Sequence, residues 1–367
     1  MNILYIAHIR LPTEKAHGLQ IMKTCEAFAR AGAEVELAVP TRANALRADP
    51  FAYYDVAPGF KITTLHVPDM VHLGLLGFIA SLVLFSERAH FLPRFWKADV
   101  IYSRDALLLL QYVLLGRRLV YEAHSKPSRI SVFVAKRAYR LVAITEAIAA
   151  AYVQAGISRE KIVVAPDAVD LAAFAAVPAR AEARSALDIK PETKIVAYVG
   201  HLYARKGADT LAEAASRIPE IDLLFIGGMD ADLERFRGQW KGRDNITTIG
   251  HVPHSRALLY MRAADVLVIP NSAKDSASRA FTSPMKLFEY MASGTPIVAS
   301  DVSAIREVIS SECAQFCSPD DPSAFAEAIA YLFAHPEEAA DKARHALLTV
   351  REHTWDARAA SILARLS

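Results

Sequence analysis

Along this chain, short continuous runs of apolar and β-branched residues alternate with longer segments whose apolar positions recur every three or four residues. Runs of the first kind predict strands buried on both faces, and the segments between them predict helices crossing over between parallel strands. Two such series are present. The first predicts strands at residues 3–7, 35–39, 62–67, 100–102, 119–122, 141–144 and 162–164. The second predicts strands at 195–199, 223–226, 246–249, 266–269 and 296–299. The helix expected after Gly207 carries its core stripe at Leu211, Ala214, Ala215 and Ile218. The expected fold class is α/β, with two Rossmann-like, doubly wound domains facing each other across a cleft. Ligands of such sheets bind at the carboxyl edge of the strands.

The two series are separated by an alanine-rich stretch, 166–192, which contains Pro166, Pro178 and Pro191 and no strand pattern. This places an N-terminal domain over 1–170, a linker over 171–192 and a C-terminal domain over 193–353. Residues 325–367 are helical in pattern, with breaks at Pro336 and near Thr354. The most hydrophobic stretch, 71–85, is interrupted by Gly74 and Gly77. It falls short of the ~20 apolar residues that a spanning helix needs, and predicts an amphipathic or buried helix.

Composition narrows the class. A length of 367 residues with 53% hydrophobic side chains suits two well-packed domains. A net charge of +2 gives no global argument for nucleic acid as a partner. Three cysteines exclude a disulfide framework. Cys25 shares an apolar helix face with Ile21, Phe28 and Ala29 and reads as a core thiol, while Cys313 and Cys317 lack histidines at zinc-ligand spacing. The opening MNILYIAH reads as a first strand with no basic leader, and the cysteine usage suits a reducing cytoplasm.

Several motifs are absent. No G-x-G-x-x-G follows the first strand, and the chain has no P-loop and no H-E-x-x-H. Asp230-Ala231-Asp232 has the spacing of a metal-binding D-x-D, but it follows a strand end and opens a helix, so Asp230 reads as an N-cap.

The most informative segment is SPMKLFEYMASGTPIVAS, residues 283–300. Ser283 suits an N-cap and Pro284 the first helical position, Gly294 ends the helix, and Pro296 opens the next strand. The free amides at such a helix start suit a diphosphate. Lys286 places a cation in the first turn, where helix stability alone favours an acid, and this local conflict points to function. Glu289 lies farther along, where it serves either as an acceptor for ribose hydroxyls or as a solvated helix residue.

Residues 283–301, SPMKLFEYMASGTPIVASD, resemble the donor-binding helix of glycosyltransferase family 4, whose members have the GT-B fold and retain anomeric configuration. Other segments are similar to that family in the same order: YVGHLYARKG at 198–207 to its phosphate loop, IGHVP at 249–253 with Tyr260 and ADV at 264–266 to its nucleobase loop and following helix, and VAPDAVD at 164–170 to the exit from its first domain. HTWD at 353–356 resembles the start of a helix, here about 354–367, that returns to the N-terminal domain. The resemblance implies transfer of a sugar from a nucleoside diphosphate sugar (UDP- or GDP-linked) to a glycan or lipid-linked acceptor, with no metal and no cofactor.

By that resemblance Lys206 holds the diphosphate and Glu289 the ribose, and His124, in the strand-end run Tyr121-Glu122-Ala123-His124, touches the donor sugar. Gly18, in a flexible loop after the first strand, stands near the phosphate and acceptor. Gly200 permits close approach, the His251 and Val252 backbone meets the base, and Ser283, Met285 and Lys286 face the phosphates or sugar. Arg205 either assists Lys206 or is an exposed neighbour. Two departures stand out. The family's first glutamate is replaced by Phe281, and an arginine common beside the phosphates is His201 here. A catalytically inactive nucleotide-sugar-binding partner and a nucleotide-sugar epimerase or hydrolase therefore stand as alternatives. Lys126, Arg129, Lys136, Arg137 and Arg140 form a basic cluster that, with 71–85, either seats the chain on the anionic inner face of the cell membrane or is a solvated face beside a core helix.

Overall fold

The computed structural model describes residues 1–203 and 206–366, apart from the side chain of Asp230. The chain divides into two compact units, Met1–Asp167 with Trp355–Ser367, and Ala168–Thr354. The first carries a parallel sheet of β1 (Asn2–Ile6), β2 (Glu34–Pro40), β3 (Lys61–Leu65), β4 (Val100–Ser103), β5 (Leu119–Ala123), β6 (Arg140–Ala143) and β7 (Ile162–Val164) in the order β3-β2-β1-β4-β5-β6-β7. The second carries β8 (Ile195–Val199), β9 (Asp222–Ile226), β10 (Ile246–Gly250), β11 (Val266–Ile269), β12 (Ile297–Ser300) and β13 (Gln315–Cys317) in the order β10-β9-β8-β11-β12-β13. Both units are Rossmann-like. In each sheet the winding reverses beside the first strand, between β1 and β4 and between β8 and β11, the point at which sheets of this kind bind ligands at their carboxyl edge.

Strand alternation sets the packing of the second unit. Ile195, Ala197, Leu267, Ile269, Ile297 and Ala299 enter one core, while Val196, Tyr198, Val266, Val268 and Val298 enter another. These three strands, β8, β11 and β12, are apolar at successive positions because both faces of the sheet are covered there. The Gln315–Cys317 strand was not expected from the sequence. Among the described residues it pairs with β12 alone and its residues are half-buried, so no continuous apolar run marks it.

Residues 171–192, expected as a linker, carry the helices Leu171–Ala175 and Arg180–Ala186 and count with the second unit. Phe174 enters that unit's core, and Arg184 ion-pairs with Asp265 at 2.8 Å. Helix-favouring alanines bring these two anchors onto the domain surface. Asp230 is the first residue of the helix Asp230–Gln239 and Met229 occupies the N-cap, one position from the expectation. Cys25 is fully buried.

The apolar stretch is longer than its glycines suggested. A 3₁₀ turn at Val71–Leu73 runs into the helix Gly74–His90, and Val71–His90 is by length and composition apolar enough to cross a membrane. Gly74 and Gly77 do not interrupt it, because Gly74 caps the turn at φ +77° and a Cβ on Gly77 would meet the Met70 carbonyl at 1.9 Å. Neither is it a core helix. Ser81, Leu82, Phe85, Ser86 and Ala89 are buried, while Leu75, Leu76, Ile79, Val83 and Leu84 are exposed.

Candidate active site

At the end of β8 the backbone turns through Gly200, at φ +145°, whose N–H donates to the Ile226 carbonyl at 2.8 Å. A Cβ on the neighbouring Gly227 would fall 2.4 Å from the Gly200 carbonyl oxygen, so the two strand ends approach through glycine alone. Gly207, at φ +74°, packs so closely that a Cβ would lie 1.6 Å from the Pro270 carbonyl. The Tyr198 hydroxyl donates to the His201 carbonyl at 2.6 Å, and the Val199 N–H donates to the Tyr290 hydroxyl at 2.7 Å. Two tyrosines therefore brace the turn, one of them reaching from the helix Met285–Ser293.

Lys286 Nζ lies 4.1 Å from the centre of the Tyr198 ring and forms no ion pair among the described residues. Burial and then the neighbouring Lys206 push its ammonium well below the usual lysine range, against a smaller pull from Glu289. The same crowd of positive charge, after burial, lowers His201, whose ring stacks on Tyr203 at 4.9 Å. The helix bearing Lys286 begins with no side-chain cap and no acid in its first turn. Two lysines and uncapped amides thus converge on one glycine turn, an arrangement that favours an anion. Glu289, farther along, accepts a hydrogen bond from His254 Nε2 at 2.7 Å.

In the first unit the residues gather at the ends of β1, β4 and β5. A cavity of about 400 Å³ there is lined by His8, Ile9, His17, Arg104, Leu107 and Ile130, among others. His124 follows β5, and its Nε2 lies 2.6 Å from Oε1 of Glu122, a fully buried carboxylate. Glu122 also accepts from Gln20 at 2.6 Å and from the Tyr102 hydroxyl, and it pairs with Arg358 at 3.0 Å. Burial would raise its carboxyl, but Arg358 and His124 outweigh that and hold it well below the usual range. Burial, then the charge of Arg104, lower the His124 imidazole to about 4.

Two family models match the chain: Glycosyltransferase Family 4 over residues 18–173, and Glycosyl transferases group 1 over residues 193–335. The chain belongs to glycosyltransferase family 4. A D-inositol 3-phosphate glycosyltransferase of Xylanimonas cellulosilytica is 26% identical over 94% of this chain and 89% of its own length. A phosphatidyl-myo-inositol mannosyltransferase of Mycobacterium tuberculosis is 33% identical over 45% of this chain and 42% of its own. Among solved structures, a sucrose-phosphate synthase of Thermosynechococcus elongatus superposes with TM-score 0.78 at 20% identity, covering 99% of this chain and 97% of that one. Anabaena Alr3699/HepE, in complex with UDP and glucose, superposes with TM-score 0.76 at 17% identity, covering 99% of both. These neighbours share the GT-B fold.

Within this glycosyltransferase the second unit brings together Gly200, Lys206, Lys286 and Glu289, with His201 between them. His251, exposed, and Val252, packed on the core, follow the end of β10. Arg205 lies outside the described residues. Ser283 is buried and stands one residue before the N-cap, which is Pro284, so Met285 is the first helical residue. The expected register was one residue early, because Pro284 is extended at φ −78° and ψ 105°. Gly18 is not in a flexible loop. It is buried in the first turn of the helix Ala16–Arg30, where a Cβ would meet the Tyr54 hydroxyl at 2.1 Å and Thr13 at 2.6 Å. Phe281 follows the short helix Ser276–Ala280.

Sequence reasoning missed His254, Tyr198, Tyr290, Arg104 and Arg358 as parts of these sites. For Glu122 a signal existed, since residues two apart on a strand share a face and Glu122 precedes His124 by two. For Arg358 none existed, because it is far away in sequence.

Proposed function

We propose that the chain is a retaining hexosyltransferase that moves a sugar from a nucleoside diphosphate sugar to a glycan or lipid-linked acceptor without a metal. The observation that carries this reading is the pair Lys206 and Lys286 at an uncapped helix start, with no carboxylate on Lys286. A cation placed there at a cost to the free protein is accounted for if a diphosphate completes the site. Departure of the sugar leaves negative charge on the diphosphate and positive charge on the sugar ring, so catalysis calls for electrostatic stabilisation more than for a strong base. The two lysines and the Met285 and Lys286 amides would supply it on the leaving side, and the leaving phosphate would take the acceptor proton. Glu289, steadied by His254, would hold the ribose, and His124 would touch the donor sugar. UDP-bound HepE supports a uridine donor by fold likeness.

The test is a panel of UDP- and GDP-hexoses with chelator present, scored by thermal stabilisation and nucleotide release. Stabilisation by one series with transfer to an acceptor is expected. Stabilisation without turnover would instead favour the inactive partner that Phe281 keeps in view, and a changed or freed sugar from donor alone would favour an epimerase or hydrolase.

The setting we propose is cytoplasmic, at the inner face of the cell membrane. Phe78 of the helix Gly74–His90 packs edge-on against His8, and Ile130 of the helix Arg129–Arg137 lines the same cavity as His8. An apolar helix and a basic one therefore flank one cavity. Arg129, Lys136 and Arg137 are exposed, Arg137 lying over the Phe133 ring at 3.7 Å, whereas Arg140 is engaged with the Arg365 carbonyl. Apolar side chains beside lysine and arginine suit an anionic bilayer, from which a lipid-linked acceptor would reach the cavity.

A further inference from the structure

The last helix, Trp355–Leu363, delivers Arg358 into the interior of the first unit, where the guanidinium is almost wholly buried. Its Nε donates to the Pro166 carbonyl at 2.9 Å, its Nη1 to Thr24 Oγ1 at 3.3 Å, and its Nη2 lies 3.0 Å from Glu122 Oε1. The same Oε1 takes Gln20 Nε2 and His124 Nε2, each at 2.6 Å. A carboxylate only accepts hydrogen bonds, so the His124 nitrogen facing it must carry a proton. His124 Nδ1 makes no hydrogen bond within the described chain and is not among the buried unpartnered atoms.

We propose that Glu122 and Arg358 are positioning residues, which hold His124 as the neutral Nε2–H tautomer and present its Nδ1 lone pair to the site as a hydrogen-bond acceptor. This rests on the reading that His124 belongs to the active site. A carboxylate alone against an imidazole would favour the imidazolium, which can only donate. Burial and the charge of Arg104, helped by Arg358 on the carboxylate itself, offset that pull, so the histidine keeps both its orientation and a free lone pair. The groups facing this cluster agree with neutrality. Arg104 and His17 approach from the ends of β4 and the first helix, with Tyr102 and Asp167 on the inner side. The partner presented to Nδ1 is then a hydroxyl, the group a sugar offers, rather than a phosphate or carbonyl oxygen. The C-terminal helix acquires a definite duty, because Arg358 shares Glu122 with His124 and so offsets the pull of that carboxylate on the donor-facing histidine.

The full chain labelled with ¹⁵N-histidine tests this without any substrate, with His124 assigned from His124→Asn. The Nε2–H pattern is expected from pH 7 down to about pH 5. In Arg358→Met the His124 midpoint should rise by about one pH unit or more, with the acid limb of the rate profile moving alongside. Arg358→Lys should restore most of the parent profile. If Arg358→Met fails to fold, Glu122→Gln/Arg358→Met removes both charges. That variant should fold, show mixed tautomers, and lose roughly ten- to hundredfold in kcat with little change in donor KM. An Nδ1–H tautomer in the parent, or an unmoved His124 midpoint in folded Arg358→Met, overturns the proposal. The expected tautomer in a chain that transfers no sugar upholds the pair and overturns the glycosyl-transfer reading of His124.

Discussion

Replacing Lys286 by methionine should make the free protein more stable while disabling it. Methionine keeps most of the side-chain length and volume and removes only the charge. In the free chain that charge is withdrawn from water, has Lys206 as a neighbour and has no carboxylate in contact. Partial burial of an unpaired cation costs on the order of 1–3 kcal/mol. The face of Tyr198, 4.1 Å away, returns about 0.5–1 kcal/mol of that. The net gain on substitution is about 1 kcal/mol, or roughly 2–4 °C in melting temperature for a unit of this size. In the transition state the sign reverses, because the same ammonium faces the charge developing on the diphosphate, and its loss should raise the barrier by about 2–4 kcal/mol. The assay is a pair of melting curves for parent and Lys286→Met, with and without nucleotide, beside initial rates with the best donor of the panel. A higher melting point without nucleotide, a smaller shift with it, and a large loss of kcat are expected together. A lower melting point with nucleotide stabilisation intact would show that the ammonium serves the fold and would refute the reasoning.

Four other outcomes are expected. Glu289→Ala should weaken nucleotide binding by about ten- to hundredfold, the range for losing hydrogen bonds to a charged group, and His254→Ala by about tenfold or less, both read by calorimetric titration. Gly207→Ala sets a Cβ 1.6 Å from the Pro270 carbonyl at a positive φ, and should cost about 1–3 kcal/mol of stability in chemical denaturation along with most activity. Leu75→Glu/Leu76→Glu changes side chains that are 73% and 82% exposed, so melting should not move while binding to anionic vesicles in a flotation assay falls by at least about tenfold. Acid should destabilise the first unit above the carboxylate range. His8, lowered to about 4 by burial and then Arg42, and His124 are both neutral in the fold, so their contribution is complete above pH 6.5 and is lost as pH falls from 6.5 towards 4. A His8→Gln chain whose melting point falls as steeply as the parent's over that window would contradict this.

The sequence alone determined the architecture, since its signals are local. A strand buried on both faces must be largely apolar, as Ile195–Val199, Val266–Ile269 and Ile297–Ser300 are, whereas the edge strands Lys61–Leu65 and Ile246–Gly250 keep enough apolar residues beside their threonines to be read. Gln315–Cys317, the strand that was not expected, is a three-residue edge strand whose residues are half-buried. The turn at Gly200 and the helix bearing Lys286 and Glu289 were legible for the same reason, because each is built from consecutive residues. Tertiary structure decided what depends on distant partners. Only the fold sets Lys286 on the Tyr198 ring beside Lys206, fastens Glu289 to His254, and fills the room around Gly18 with Tyr54 and Thr13. Only the fold exposes one face of the Gly74–His90 helix, whose composition suits burial equally well. Arg358 is the extreme case. Nothing in its neighbourhood marks it, because the charge it answers, Glu122, lies in another part of the chain and becomes costly only once folding has removed it from water.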